Sequence, residues 1–529
     1  MLFLRGAAGA FFFFMKRLFS LFLIFAVLCG CGSVEPEVVV TEETTDPQPA
    51  QVPSETVASG ITYQLLVYSF CDSDGDGVGD FKGIESKLDY LSSMGVGALW
   101  LSPIHPATSY HGYNVEDYSS VNPDYGTEED FVSLVTAAHA KDIKIYLDYV
   151  LNHTSSNHPW FKSAKASATS PYRDYYFFYA DGSYQCVFDR TMPDLNYGPA
   201  SSCEESPAFK DIASSADKWI GLGVDGFRLD AIKHIYDDAT SDENPTFLKK
   251  FYDRCNASFK AAGHSDDIYM VGEHFSEATE VAPYYTGLPA FFEFSFWWRL
   301  SYAINNGVGK YFVSDIQSYQ KAYSQYRSSY IEATKLSNHD EDRAASTLEK
   351  NLSKEKLAAA VLLTCSGEPY IYQGEELGYW GTKSGGDEYV RTPIMWTTSS
   401  SSLASAKLGS RIDKSMLTAS ISVESQSADK ESLLSLYRTF GTLRTHYKAL
   451  AKGSLDYCPT AASYEPLAAW YRSYDGQKIL VVHNFSSSSV TASFASSDRL
   501  TSVVASNGSY KVSGSKLTLG AYSSVLFLQ

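Results

Sequence analysis

No long basic run occurs in this sequence of 529 residues, where 43 Lys and Arg face 61 Asp and Glu for a formal charge of −18 at pH 7. That deficit speaks against nucleic acid or anionic lipid as a partner and leaves a neutral ligand as the better fit. No Cys and His residues stand at zinc-site spacing, so a zinc centre is not expected. The apolar run at 18–28 is too short to span a bilayer comfortably. Hydrophobic content, by contrast, is not low: at 44% it supports a large core and excludes a disordered chain, and the length points to two or three packed units.

The short apolar run belongs to a targeting signal. Met15-Lys16-Arg17 gives it a basic start, and Leu28-Cys29-Gly30-Cys31 after it resembles a bacterial lipobox, which implies cleavage before Cys31 and diacylation of its sulfur. An ordinary signal peptide with a stray cysteine is the alternative. Residues 1–14 lie upstream of a complete signal, so translation is expected to start at Met15. Residues 1–31 are read as a lipoprotein signal peptide, and 32–59, rich in Thr, Glu, Pro, Ser and Val, as a flexible linker. The protein is then an exported lipoprotein of the bacterial cell envelope, periplasmic or on the outer surface, held to the membrane by the lipid at Cys31. Export permits disulfides. Of Cys71, Cys186, Cys203, Cys255, Cys365 and Cys458, the pair Cys186 and Cys203 is the first to test because both lie in one loop-rich stretch, and free buried thiols are the other reading.

From Ile61 onward, short β-rich runs alternate with longer amphipathic ones. Candidate strands fall at 64–70, 98–101, 144–149, 226–229, 268–272, 291–294, 334–337 and 370–372, with helical spacing at 83–94, 128–141, 207–222, 246–262 and 353–364. Eight strands interleaved with helices predict an α/β fold, a (β/α)₈ barrel whose reactive groups sit at the C-terminal ends of strands. An open doubly wound sheet is the alternative. The third connection is too long for an ordinary βα loop, so 153–205 is read as an inserted subdomain. The barrel is assigned to 60–152 and 206–443, and the alternating runs of 444–529 to a C-terminal antiparallel β-sandwich.

Residues that end these strands include His153 after the third, Arg228 and Asp230 at the fourth, Glu273 at the fifth, and His339 and Asp340 after the seventh. Glycosidic cleavage needs one carboxylate below the anomeric carbon and one carboxylic acid above the leaving oxygen. Asp230 beside the Arg228 guanidinium suits an ionised nucleophile, and Glu273 after apolar Met270 and Val271 suits an acid with a raised pKa. His153 and His339 suit donors to sugar hydroxyls.

The segments Asp148-Tyr149-Val150-Leu151-Asn152-His153, Gly226-Phe227-Arg228-Leu229-Asp230-Ala231-Ile232-Lys233-His234, Gly272-Glu273, Leu336-Ser337-Asn338-His339-Asp340 and Met192-Pro193-Asp194-Leu195-Asn196 together resemble the ordered motifs of the α-amylase family, glycoside hydrolase family 13. The resemblance runs from about Ile61 to the C-terminus. It implies retaining cleavage of α-glucosidic bonds with Asp230 as nucleophile, Glu273 as acid/base and Asp340 holding the distorted ring's hydroxyls. It also implies sugar contacts from Arg228, His153, His339, the stacking Tyr113 and Arg343, with Lys233 and His234 lining the leaving-group side. Within the family, Ala231 and Lys233-His234 resemble enzymes that cut internal α-1,4 bonds. The opening around 72–80 and the 152–161 segment resemble oligo-1,6-glucosidases and neopullulanases, and Met-Pro-Asp-Leu-Asn resembles a group intermediate between them. An α-amylase acting on starch and maltodextrin is the reading preferred. An α-glucosidase, oligo-1,6-glucosidase, neopullulanase or 4-α-glucanotransferase is the alternative, and a catalytically inactive glucan-binding surface protein is an alternative of another class. A monomer is expected.

Asp72, Asp74, Asp76 and Asp80 offer hard oxygen ligands at calcium-loop spacing, and the carbonyl of Val78 adds another. The loop departs from an EF-hand, since Gly83 stands where the terminal bidentate Glu belongs. The resemblance implies a second calcium site using Asn152, Asp194 and the carbonyl of His234.

Overall fold

The computed structural model describes residues 47–236, 242–399 and 415–529. The expected signal peptide, Met15, Cys31 and the first part of the linker lie outside the described residues.

Eight parallel strands close on themselves: β1 Thr62–Leu65, β2 Ala98–Leu101, β3 Lys144–Val150, β4 Gly226–Asp230, β5 Tyr269–Gly272, β6 Ala290–Glu293, β7 Ile331–Lys335 and β8 Glu368–Tyr372. β8 pairs back onto β1 with Tyr370 opposite Thr62, so the open sheet is excluded. The strands read as apolar runs because one face meets the ring of helices and the other the lumen. Trp100 of β2, Phe292 of β6 and Tyr370 of β8 plug that lumen, with ring centroids 5.3 Å apart for Trp100 and Phe292 and 5.0 Å for Phe292 and Tyr370. The plug is the floor of the site described below.

The first strand departs from expectation. β1 ends at Leu65, and Val67–Phe70 forms a helical turn inside the stretch read as a strand over 64–70. Every residue from 61 to 70 is buried, which erases the periodicity that separates strand from helix. Between β3 and the helix Pro207–Gly221, the connection carries the helix Pro159–Ala166, two short 3₁₀ turns and the isolated bridges His153 to Asp194, Tyr176 to Leu195 and Phe178 to Tyr184, but no regular strand.

The C-terminal part holds β9 Ser454–Tyr457, β10 Leu467–Tyr474, β11 Gln477–Asn484, β12 Val490–Ser493, β13 Ser502–Asn507, β14 Tyr510–Ser513, β15 Lys516–Leu519 and β16 Ser524–Leu528. β13, β16, β11, β10 and β9 lie side by side in one sheet, and β12, β15 and β14 in another. Alternation along β10 divides its burden: Leu467 and Ala469 pack toward the second sheet, while Ala468 and Trp470 join the core beneath the barrel helices. The sheet begins at Ser454, later than the boundary expected at 444, which falls inside the helix Leu433–His446. Arg444 is wholly buried there and donates to the carbonyls of Leu363, Cys365 and Gly367, fastening that helix to the barrel.

Residues 47–59 are not the free linker that composition suggested. Gln48–Pro49 adds a short parallel strand to β13 opposite Ser502 and Val503. Further along, the Val57 N–H donates to Thr445 O at 2.8 Å and the Tyr447 hydroxyl to Gln51 O at 3.3 Å. A polar, proline-bearing segment carries no periodic signal, yet its backbone groups are satisfied by the surface it crosses. All six cysteines in the described residues are free, five of them buried, so the Cys186 to Cys203 disulfide is not formed.

Candidate active site

The β3 to β4 register sets Asp148 beside Arg228 and Val150 beside Asp230. Two-residue spacing then aims Arg228 and Asp230 to the same side of β4. Arg228 is wholly buried, its guanidinium 4.9 Å from the centre of the Trp100 ring. Its Nη1 donates to Asp148 Oδ1 at 2.7 Å and to Asp230 Oδ1 at 2.8 Å, and its Nη2 makes an ion pair with Glu273 Oε2 at 2.8 Å. One cation thus spans three carboxylates. Ala231 follows in the left-handed region at φ 48° and donates its N–H to Glu273 Oε2 at 3.3 Å. A non-glycine residue held there is strained backbone beside the reacting groups.

Asp340 closes the constellation from the loop after β7. His339 Nε2 lies 3.0 Å from its Oδ2, while Lys383 Nζ and Arg391 Nη2 each lie 2.8 Å from Oδ1. Gln64 of β1 donates through Nε2 to His339 Nδ1 at 2.8 Å, which leaves the His339 proton on Nε2, facing Asp340 and the Tyr113 hydroxyl. Tyr113 stacks on His339 at 5.5 Å and an 11° tilt, and donates to Asp148 Oδ2 at 2.9 Å. These groups open onto a cavity of about 330 Å³ lined by His111, Tyr113, His153, Asp230, Glu273 and Asp340, among others.

The carboxylates are electrostatically unequal. Burial pushes the Glu273 carboxyl up, against the opposing pull of Arg228. Burial also raises Asp230, and the Arg228 guanidinium expected to favour its ionised form pulls the other way without cancelling that rise. Asp340 goes the other way: burial would raise it, but His339, Arg391 and Lys383 together hold it well below the ordinary range.

The other expected site residues are placed as follows. His153 is buried, its Nε2 3.2 Å from Tyr113 O and its pKa lowered by burial to about 4. Lys233 and His234 lie in the 3₁₀ turn Ile232–His234 directly after the strained Ala231, and His234 meets the ring of Phe188 at 5.3 Å. Arg343 is not at the cavity. It is wholly buried, donates through Nη1 to Gln373 O at 2.5 Å and sits 4.1 Å from the Tyr372 ring, because the chain turns inward at the start of the helix Ala344–Thr347. Motif reading missed Asp148 as an Arg228 partner, Phe188 as a cavity wall, and Lys383 and Arg391 as the cations on Asp340.

In the loop after β1, ligand oxygens of Asp72, Asp74 and Asp80 lie within 4.8 Å of one another. Gly75 and Gly77, at φ 86° and 88°, let the loop curl so that Asp72 accepts from the N–H groups of Asp74, Gly75 and Gly77. Three convergent carboxylates are a fit donor set for a hard divalent cation. Asp76 does not join them, and its Oδ1 accepts from Val78 N–H at 2.7 Å. The second set fits less well: Asn152 turns its amide nitrogen, a donor, to His234 O at 2.6 Å, and Asp194 accepts from Val187 N–H. No cation cage is formed by these groups as placed.

A family model described as the α-amylase catalytic domain matches residues 64–184 and 179–453, and one described as the α-amylase SusG C-terminal domain matches 467–526. The chain is 40% identical to α-amylase SusG of Bacteroides thetaiotaomicron, covering 89% of this chain and 92% of that protein. It is 35% identical to α-amylase 3 of Dictyoglomus thermophilum, covering 88% and 93%. Among solved structures, the α-amylase from H. orenii superposes with a TM-score of 0.79 at 31% identity, covering 89% of this chain and 99% of that one. With the catalytic domain matched across the whole barrel and a C-terminal domain matched behind it, this chain belongs to the α-amylase family of glycoside hydrolases.

Proposed function

We propose that the protein is a retaining hydrolase of α-1,4-glucosidic bonds in starch, maltodextrin and related α-glucans. The observation that carries this reading is the single buried guanidinium of Arg228 ion-paired at once with Asp230 and Glu273. A shared cation keeps two carboxyls close, the arrangement of retaining enzymes, whose carboxyls stand about 5 Å apart, rather than the wider gap that admits a water between them.

Glu273, with its pKa raised by burial, delivers a proton to the glycosidic oxygen while Asp230 attacks the anomeric carbon. The bond to the leaving chain breaks and a glycosyl ester on Asp230 forms. Water, deprotonated by Glu273, then cleaves that ester and restores both groups. Asp340, held ionised by three cationic or donor neighbours, accepts from ring hydroxyls and keeps the sugar distorted. Tyr113 offers its face to the pyranose, whose C–H surface suits an aromatic ring.

Incubation with soluble starch, pullulan, isomaltose and maltotetraose, with products resolved by size, tests this. Mixed maltooligosaccharides from starch, absent with Asp230→Asn, are expected. Panose from pullulan or glucose from isomaltose alone would move the enzyme to a neopullulanase or oligo-1,6-glucosidase, and longer chains built from maltotetraose would make it a transferase. No turnover of any α-glucan would favour a binding protein.

We further propose that the Asp72, Asp74 and Asp80 cluster holds a calcium ion that fastens the loop after β1, and that the exported chain is anchored by lipid at Cys31. At calcium a hundredfold above its dissociation constant the ion adds about 2.7 kcal/mol to stability. EDTA is therefore expected to lower Tm in the wild type and to leave Asp74→Ala unchanged in calorimetry. Equal effects in both would rule this loop out as the site.

A further inference from the structure

A lysine enclosed in a barrel lumen is a feature to explain, because an ammonium is almost never wholly buried without a partner. Alternation along β7 sends Ile331, Ala333 and Lys335 to one face. Ile331 and Ala333 belong to the cluster that plugs the lumen, so Lys335 occupies the next layer toward the barrel mouth, with a side chain 1% exposed. Its Nζ lies 4.1 Å from the centre of the Phe294 ring and makes an ion pair with Glu341 Oε2. Phe294 in turn meets the ring of Phe275, two residues beyond Glu273, at 4.5 Å. The pair therefore lies on the acid/base side of the mouth, yet neither member lines the catalytic cavity.

Lys335 and Glu341 bracket residues 336–340, the loop that delivers His339 and Asp340. Joined, they tie the start of that loop to its end. Other bonds fix its middle: Asn338 Oδ1 accepts from the Asp340 N–H at 2.8 Å, and Arg391 Nε donates to His339 O at 3.1 Å. The clamp also has an electrostatic side. Glu341 adds one more carboxyl to a site that already holds Asp230, Glu273 and Asp340, and it faces both Glu273 and Asp340. Burial pushes the Glu341 carboxyl up while Lys335 pulls it down. Glu273 itself faces Arg228 and Asp230 of β4 and His339 and Asp340 of the loop after β7. An unpaired charge at position 335 or 341 would act on the Glu273 proton, because charges interact strongly where water is excluded.

We propose that Lys335 and Glu341 are positioning residues for hydrolysis: their ion pair holds the loop that presents Asp340 to the sugar ring, and each member cancels the other's charge beside Glu273. The assignment rests on the glucan-hydrolase reading above. Neither residue touches substrate.

The pH dependence of kcat/KM on maltoheptaose tests the pair, since its basic limb follows loss of the Glu273 proton. Glu341→Gln leaves the Lys335 cation uncompensated, which favours ionised Glu273, so the limb is expected to move to lower pH by about half a unit. Lys335→Met leaves Glu341 uncompensated and is expected to move the limb about half a unit the other way. The double variant is expected to bring it back to within about 0.2 unit of wild type, and Lys335→Arg, which keeps the charge, to leave it in place. Both single variants are also expected to lose about tenfold in kcat with little change in KM, because Asp340 holds the ring most tightly when it is distorted. A limb unmoved in both, or moved the same way in both, overturns the proposal and makes the pair a packing element. If Lys335→Met does not fold, the shift in Glu341→Gln and its reversal in the double variant decide. Failure of the hydrolase reading is distinguishable, since the wild type would then turn over no α-glucan. Carbon NMR of protein labelled at the glutamate carboxyls, with Glu273 assigned by its loss in Glu273→Gln, then reads the same opposite shifts without substrate.

Discussion

Glu273→Gln is expected to lower kcat on starch by about 10³-fold, the general range for loss of a positioned proton donor. The same variant should still consume α-maltosyl fluoride rapidly in its first turnover, because fluoride leaves without the proton that a sugar alcohol requires. Asp230→Asn should lose both reactions, since no nucleophile remains to take the glycosyl group. The split follows from the geometry: Glu273 and Asp230 meet different nitrogens of Arg228, and only Asp230 sits on the same strand as that arginine. Mass spectrometry of the Glu273→Gln protein after maltosyl fluoride treatment should show a maltosyl adduct. Its absence, with fluoride release equally slow in both variants, would mean the two roles are misassigned.

Arg228→Met should be strongly destabilising. It leaves Asp148, Asp230 and Glu273 together in a buried site with their shared cation gone, a change of the kind that costs about 3–5 kcal/mol. The effect has a definite pH sign. Asp230 and Glu273 already bind protons more tightly folded than unfolded, since burial raises both. Such groups favour the folded state at acid pH and cost stability as pH rises above their unfolded values toward the folded ones. Removing Arg228 pushes both higher still. The Tm deficit of the variant should therefore be small near pH 4 and grow toward pH 7, and a deficit that is constant across that range would mean the arginine acts by packing alone.

The candidate carboxylates Asp230, Glu273 and Asp340 were legible as a set because each ends or closely follows a barrel strand, inside a run of residues that packs the strand itself. Asp340 shows where that legibility stops. Its own motif is local, but two of the cations on it, Lys383 and Arg391, lie at the ends of single short turns after β8, where no period or spacing marks them. Arg343 was misread for the converse reason: three residues from Asp340 in sequence, it is turned inward onto Tyr372 by the helix that starts behind it. The strand at 64–70 failed through uniform burial, and the segment 47–59 through a composition that describes what a chain does alone, not what it does against a partner surface. Such contacts are set by tertiary packing and leave no periodic trace.

The pairing of Gln48–Pro49 with β13 has a consequence for how the protein behaves in a crowd. β13 would otherwise be an outermost strand, with unpaired N–H and C=O groups ready to recruit a strand from a neighbouring molecule. The chain covers that edge with its own N-terminal residues, and Pro49 has no N–H to offer the next comer. Protection against self-association is thus carried by a segment remote from the chemistry. A shortened chain that begins after Pro49 would keep its catalytic groups and lose its guard against sheet-to-sheet aggregation at that edge.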